Sequence, residues 1–405
     1  MKASESSERY VGRVRESCNY AVRSAKSFAD SEDNQTRQPG GSGETALRDT
    51  LHKDLTSFSD EIDENLFSVK PKAHGTASVW SLVLMILAAA LAIVSTLLAA
   101  KLAAIFALAA TIVSVLTLLA SFNLFGGASK SVEEYNVYAR RKPEKEVQHR
   151  VILQANLDAP FKRSISRKAE SVLKTFQFIG VVLYLVYDVL LLLQSTAVLN
   201  FPDWFGYISY PLILFAIFPG ILISAVKPDS SFPGVSDNLS GCYTAAGALR
   251  YLSQENVRLQ NTEIDVLLTG GKSSRNEGAK AFLKNYAEDL KNTDTTVICL
   301  DSLYSVDTLN TNARGRKLNR GLAQAVENAD ITLTDYAPKY NVTEAGLFRK
   351  AGLDTIRISS LPDDEPEFYR SADDDDTHLD VRATEAAIKI ALETAFLKDD
   401  PESDF

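Results

Sequence analysis

Cysteine is scarce. The 405 residues hold three, Cys18, Cys242 and Cys299. Their spacing fits neither a disulfide framework nor a metal knuckle, which suits a reducing compartment. Positive charge is also short, with 43 Lys and Arg against 52 Asp and Glu, a net charge of −9. That balance gives a nucleic-acid partner no electrostatic basis. An apolar leader is missing as well: the residues before Lys70 are polar and charged, so no signal peptide is expected.

What the chain does hold is a set of long hydrophobic runs. Residues 79–100 form one, and residues 102–122 follow after the lone Lys101. A third, 176–193, is interrupted only by Gln177, Gly180 and Asp188, and a fourth, 205–226, contains Pro211, Pro219 and Gly220. A bilayer core takes about 20 apolar residues of helix, so four membrane helices in two hairpins are expected. Buried core helices are the competing reading, and the first pair is too long and too uniformly apolar for it. The hairpin tips fall at Lys101 and near 200–204. The opposite flanks carry Lys70, Lys72, Lys130, Arg140, Arg141, Lys162, Arg163, Arg167, Lys168, Lys174 and Lys227. By the positive-inside rule this is a multi-pass cell-membrane protein with its polar segments in the cytoplasm. Asp188 reads either as a functional carboxylate or as a group near a tilted interface or facing another helix.

The polar segments divide around these runs. Residues 1–36 are a polar segment with an amphipathic stretch, and an α/β domain begins at 37–77 with a flexible turn at 38–43. The membrane hairpins, 78–124 and 175–227, interrupt it, so that it continues through 128–170 and 228–398 before an acidic tail, 399–405. A helix with Leu47, Leu51, Leu55 and Phe58 at helical spacing follows Ser42, a candidate cap. Strands are expected at 65–69, 264–268, 296–300 and 355–358, a β-hairpin from 135–140 and 150–155, and a closing helix at 384–397. Strands alternating with helices imply an α/β sandwich with a mixed sheet.

One junction stands out. Residues 267–286 read LLTGGKSSRNEGAKAFLKNY, an apolar strand, two glycines, a Lys-Ser-Ser loop and a helix. The carboxyl ends of such strands are where catalytic groups gather. Around it lie Pro39-Gly-Gly-Ser-Gly-Glu44, Asn136-Val137, Ala155-Asn-Leu-Asp-Ala159, Asp237-Asn-Leu-Ser-Gly241, Cys299-Leu-Asp301, the stretch 343–352 and Tyr369-Arg-Ser371. In this order they resemble the aminopeptidase family of co-catalytic di-zinc exopeptidases, metallopeptidase family twenty-eight, which includes glutaminyl cyclases. The likeness is greatest to its membrane-inserted members and spans about residues 37–398 outside the membrane runs. It implies a three-layer α/β sandwich, zinc-exopeptidase-like, interrupted by two transmembrane hairpins.

The resemblance also implies a ligand set, and here the chain departs from it. The family's first histidine position is Asn156, its bridging aspartate Asp237 and its second aspartate ligand Asp301. Its general-base glutamate is Lys272, the adjacent glutamate ligand Ser273 and the last histidine Arg370. Asp158 keeps the position that orients the first histidine. Asp237 and Asp301 are balanced in charge by Lys272 and Arg370, and neither ammonium nor guanidinium is a metal ligand. Salt bridges among these four are therefore expected in place of zinc, with no metal, no catalytic residue and no cofactor.

Three other readings stand beside this one. A Ser–Lys hydrolase would need a lysine of lowered pKa, which two carboxylates oppose. An active zinc aminopeptidase would have to use Asp237, Asp301, Glu344, the run 373–376 and His378. A transporter draws only on Asp188 and the spans. The run 373–376 reads as a solvated loop, and His52, His74 and His149 as surface residues. The leading expectation is a membrane-embedded pseudo-peptidase that contacts the lipid bilayer and a protein or peptide partner and binds no nucleic acid.

Overall fold

The computed structural model describes residues 10–70, 73–98, 100–121, 130–333, 344–362, 365–403 and 405. Lys72, Thr343 and Asp404, together with the side chains of His74 and Arg167, lie outside what is described. The chain forms two compact units: Met1–Val69, Ser131–Phe161 and Asp229–Phe405 make one, and Lys70–Lys130 with Lys162–Pro228 the other.

In chain order the main elements are α1 (Tyr10–Ala29), α2 (Ser42–Phe58), β1 (Glu61–Val69), α3 (Ala73–Leu97), α4 (Ala100–Ser121), β2 (Val132–Arg141), β3 (His149–Asn156), β4 (Phe161–Arg163) and α5 (Arg167–Ser195). There follow α6 (Ile217–Ser224), β5 (Val226–Ser231), α7 (Ser240–Gln254), β6 (Thr262–Thr269), α8 (Glu277–Asn292) and β7 (Asp294–Asp301). The chain closes with β8 (Asn310–Asn312), α9 (Arg316–Asn328), α10 (Glu344–Lys350), β9 (Asp354–Ser359) and α11 (Val381–Asp399).

The first unit is built on a seven-stranded sheet in the order β1-β2-β6-β3-β7-β9-β8. Strands β6, β3, β7 and β9 run parallel, while β1, β2 and β8 pair antiparallel. The central strands are buried at nearly every position, as parallel strands covered on both faces must be. Alternate residues serve opposite faces. Val266 and Leu268 join the core with α1, α2, α7 and α11, whereas Leu267, Ile152 and Val297 pack with Phe282 of α8 and Phe348 of α10. Helices on both faces make the three layers of an α/β sandwich.

Three features of this unit differ from what the sequence leads one to expect, and one agrees. Strands β2 and β3 do not form a hairpin, because β6 lies between them. The linker instead bonds sideways, Glu144 N to Leu259 O at 2.9 Å and Lys145 N to Gln260 O at 2.9 Å. The amphipathic stretch expected in the N-terminal polar segment is α1, whose Tyr10, Val14, Cys18, Ala21, Ala25 and Phe28 are buried at helical spacing in the main core. Ser42 is the first helical residue and not the cap; Gly41 precedes it, and Glu44 Oε2 accepts from Gly40 N at 2.7 Å. The acidic run is not uniformly solvated, since Asp374 is fully buried and takes both the amide and the hydroxyl of Ser236, at 2.8 and 2.7 Å.

The second unit contains four helical stretches long and apolar enough to cross a membrane: Ser78–Leu97, Lys101–Ser121, Lys168–Ser195 and Trp204–Ser224. Helix α3 ends at Leu97 and α4 begins at Ala100, so Lys101, expected at the tip, lies in the first turn of α4. Small residues let the helices meet closely: Ala88, Ala89, Ala92, Ala107 and Ala110 are buried beside Tyr184, Tyr187 and Leu191. Asp188 is fully buried and faces another helix, where Ser114 Oγ donates to its Oδ2 at 2.6 Å. The fourth stretch breaks into short α and 3₁₀ pieces, as its two prolines dictate.

Candidate functional site

The parallel strands end together, and their carboxyl ends hold most of the polar residues singled out in the sequence. Asn156 closes β3 and Asp301 closes β7, while Asp237 precedes α7 and Lys272 follows β6. After Gly270 the chain turns through Gly271, whose φ of +66° favours glycine. Gly278 opens α8 so close to that turn that a Cβ there would stand 2.4 Å from the Gly270 carbonyl. Asp158 fixes the loop by its main chain: Oδ1 accepts from Lys272 N at 2.7 Å, and Oδ2 from Ser273 N at 2.8 Å.

The loop delivers the Lys272 ammonium between two carboxylates. Its Nζ is 3.1 Å from Asp237 Oδ1, 3.1 Å from Asp301 Oδ1 and 2.9 Å from Asn156 Oδ1. Arg370 Nε pairs with the other oxygen of Asp237, from a residue held at a φ of +54°. Arg357, on β9, pairs with the other oxygen of Asp301 at 3.1 Å. Each carboxylate is thus shared by two cations, and three cations face two anions.

Burial and charge compete at each group. Burial alone would lower the Lys272 pKa, and the charges of Asp237 and Asp301 more than reverse this, holding it well above the ordinary lysine value. For Asp237 burial acts upward, but Arg370 and Lys272 hold the carboxyl below its ordinary range. Asp301 is likewise lowered, with Lys272 and Arg357 overcoming its burial. An ammonium held charged in this way has no lone pair and cannot act as a general base, which removes the Ser–Lys chemistry.

Behind the ion pairs lies a second polar layer. Glu344 accepts from Gln154 Nε2 at 2.8 Å and from Thr269 Oγ1 at 2.7 Å, and burial pushes its pKa up to about 7 against those two bonds and the Lys272 charge. Asn238 donates to Leu300 O at 2.7 Å and to Asn156 Oδ1 at 3.2 Å. The space enclosed by Gln154, Asn156, Lys272, Asp301, Glu344 and Arg357 is about 10 Å³, roughly one water's worth.

Other candidates lie elsewhere. His378 stacks on Phe368 with ring centroids 3.6 Å apart, His52 pairs with Glu64, and His149 with Asp294. Within the run 373–376, Asp374 is bonded to Ser236, and Asp376 pairs with Lys26. Among the described residues no group of three or more His, Cys, Asp or Glu side chains is placed to hold a metal ion. Sequence reasoning missed Arg357. The available signal was a lone arginine inside the apolar strand Thr355-Ile-Arg-Ile358, which a buried carboxylate nearby would explain.

Comparison with known proteins agrees with this architecture. Residues 223–395 match the model of peptidase family M28. A glutaminyl cyclase of Fimbriiglobus ruber superposes with a TM-score of 0.54 at 10% identity, over 93% of this chain and 94% of that one. A zinc aminopeptidase from Bacillus subtilis gives 0.53 at 11% identity, over 94% of both chains. A Zn-dependent exopeptidase from Parabacteroides distasonis gives 0.53 at 11%, over 94% and 97%. No curated protein matches the sequence. A parallel-centred sheet between two helical layers, a family-model match over its carboxy-terminal part and these structural neighbours agree: the chain carries the zinc-exopeptidase fold of the M28 peptidases.

Proposed function

We propose that this is a multi-pass cell-membrane protein whose exopeptidase-like unit faces the cytoplasm and serves as a binding or scaffolding module without peptidase chemistry. One observation carries the reading: Lys272 Nζ stands 3.1 Å from both Asp237 and Asp301. Those are the two retained carboxylates of the ligand set that the family resemblance implies.

The side chains present do not fit a two-zinc centre. A pair of zinc ions needs several anionic or imidazole ligands and a bridging carboxylate. Here the carboxylates are occupied by Lys272, Arg357 and Arg370, and Asn156 supplies an amide oxygen where the resemblance calls for an imidazole. A divalent cation entering this space would meet three fixed positive charges. No hydrolytic step is therefore assigned. The cytoplasmic orientation rests on the lysines and arginines that flank the spans away from their tips.

The full-length protein, purified in detergent without added metal and again after incubation with zinc, tests this. Elemental analysis is expected to find substoichiometric zinc, and aminoacyl-amide substrates are expected to remain uncleaved. Two equivalents of zinc with chelator-sensitive cleavage would overturn the reading and favour the aminopeptidase alternative. Accessibility labelling of cysteines introduced at Lys101 and Lys280 tests the orientation.

A further inference from the structure

Charge is divided sharply between the two units. The chain as a whole has a net charge of −9. Its membrane unit, Lys70–Lys130 with Lys162–Pro228, nevertheless holds ten Lys and Arg against three Asp and Glu. Glu170 is the only acidic residue in 162–187 and in 204–228.

The fold gathers the basic residues of one flank. Ser164 N donates to Ala225 O at 2.8 Å, so β4, with Lys162 and Arg163, lies beside the start of β5, with Lys227. Ser166 Oγ accepts from Ala169 N at 3.2 Å and caps α5, which places Lys168 in its first turn. Arg163 reaches across to Glu170, and Lys174 pairs with the same carboxylate at 2.5 Å. Five cations are thus gathered with one carboxylate, and Lys168, Lys174 and Lys227 are exposed.

The outer face of α5 says what matches this charge. Val172, Phe176, Ile179 and Leu183 are exposed at helical spacing, and Lys168 stands one turn before the first of them. Lys174 stands in the same relation to exposed Phe178 and Val182. Apolar side chains on a stretch of this length face acyl chains, and lysines near its end extend to the headgroup level. An acidic protein would match the lysines but not the apolar stripe that continues from them. A zwitterionic headgroup would bring a further cation to a place already rich in them. We propose that Lys162, Arg163, Lys168, Lys174 and Lys227 form a site for the phosphate of an anionic membrane phospholipid, its acyl chains lying along Val172 and Phe176. The site presupposes the membrane placement proposed above and adds to it the class of lipid.

The full chain is reconstituted into phosphatidylcholine nanodiscs containing a trace of photoactivatable phosphatidylglycerol or, in parallel, of photoactivatable phosphatidylcholine. Labelling at exposed Val83 and Leu87 on α3 serves as the internal reference for both probes. Relative to it, phosphatidylglycerol is expected to label peptides covering 162–176 more strongly than phosphatidylcholine does. Lys168→Gln and Lys227→Gln are each expected to lower that preference about fivefold, the equivalent of about 1 kcal/mol per basic residue at a membrane surface. Lys168→Arg is expected to keep it, as is Lys101→Gln at the first hairpin turn. Equal labelling by the two probes overturns the inference and leaves the membrane placement standing. So does an unchanged preference when Lys168→Gln and Lys227→Gln are combined, or displacement of the lipid signal by inorganic phosphate. Failure of both probes to label α3 overturns the membrane placement and the lipid site together.

Discussion

Arg357 Nη2 lies 3.1 Å from Asp301 Oδ2, reaching diagonally from β9, where Arg357 is in register with Cys299 and Ser359 with Asp301. The Arg357 side chain is 3% exposed, whereas that of Arg370, the other outer cation, is 30% exposed. Removing one partner of a buried pair is far costlier than removing an accessible one. Arg357→Leu should therefore destabilise the protein by about 3 kcal/mol, and Arg370→Leu by about 1 kcal/mol or less. Urea titration of both variants in the same detergent checks this, and equal losses would contradict it.

Lys272→Met leaves Asp237 and Asp301 with one cation each, so a loss of about 3–5 kcal/mol is expected. Adding Asp237→Asn removes one of the stranded charges and should recover a good part of that loss. If the double variant is no more stable than Lys272→Met alone, the shared ammonium is not what compensates the carboxylates.

Glu344 gives a pH dependence opposite to that of the ion pairs. Its folded pKa of about 7 lies above the ordinary glutamate value of 4.5, so its contribution is complete below 4.5 and is lost as pH rises through 7. Asp237 and Asp301, both lowered, contribute above the ordinary carboxylate range and lose that contribution as pH falls below it. Glu344→Gln should flatten the decline in thermal stability between pH 5 and 8. The slope that remains belongs to the other carboxyls that burial raises, Glu44, Glu134, Asp265 and Asp374. An unchanged slope in Glu344→Gln would refute the assignment.

Asp158→Asn replaces one acceptor oxygen with a donor, so one of the two loop amides at Lys272 and Ser273 loses its partner. Hydrogen exchange at 271–276 should accelerate about tenfold, the factor that about 1.4 kcal/mol carries. Exchange in β6 should stay as in the parent. Acceleration spread through β6 would mean that Asp158 supports the sheet rather than the loop.

Much of this arrangement could be read along the chain because burial leaves plain marks. The uninterrupted apolar runs of β3, β6 and β7 are what strands covered on both sides require, and the four membrane stretches announce themselves by length. The order of strands was less legible. β2 and β3 are separated by a short linker and look like partners, yet β6, which intervenes, comes from beyond the second membrane hairpin. At the site, only the family likeness links Asp237, Lys272, Asp301 and Arg370, because no local pattern joins them. Asp374 stayed hidden in a run of four aspartates, since the Ser236 groups that satisfy it are remote in sequence.

The grip of Asp158 on the Lys272 and Ser273 amides has a broader consequence. The bonds are made to main-chain atoms that every residue except proline possesses, so the path of the loop is indifferent to which side chains it bears. A frame of this kind lets positions 272 and 273 change character while the scaffold keeps its shape, separating the inheritance of geometry from the inheritance of chemistry.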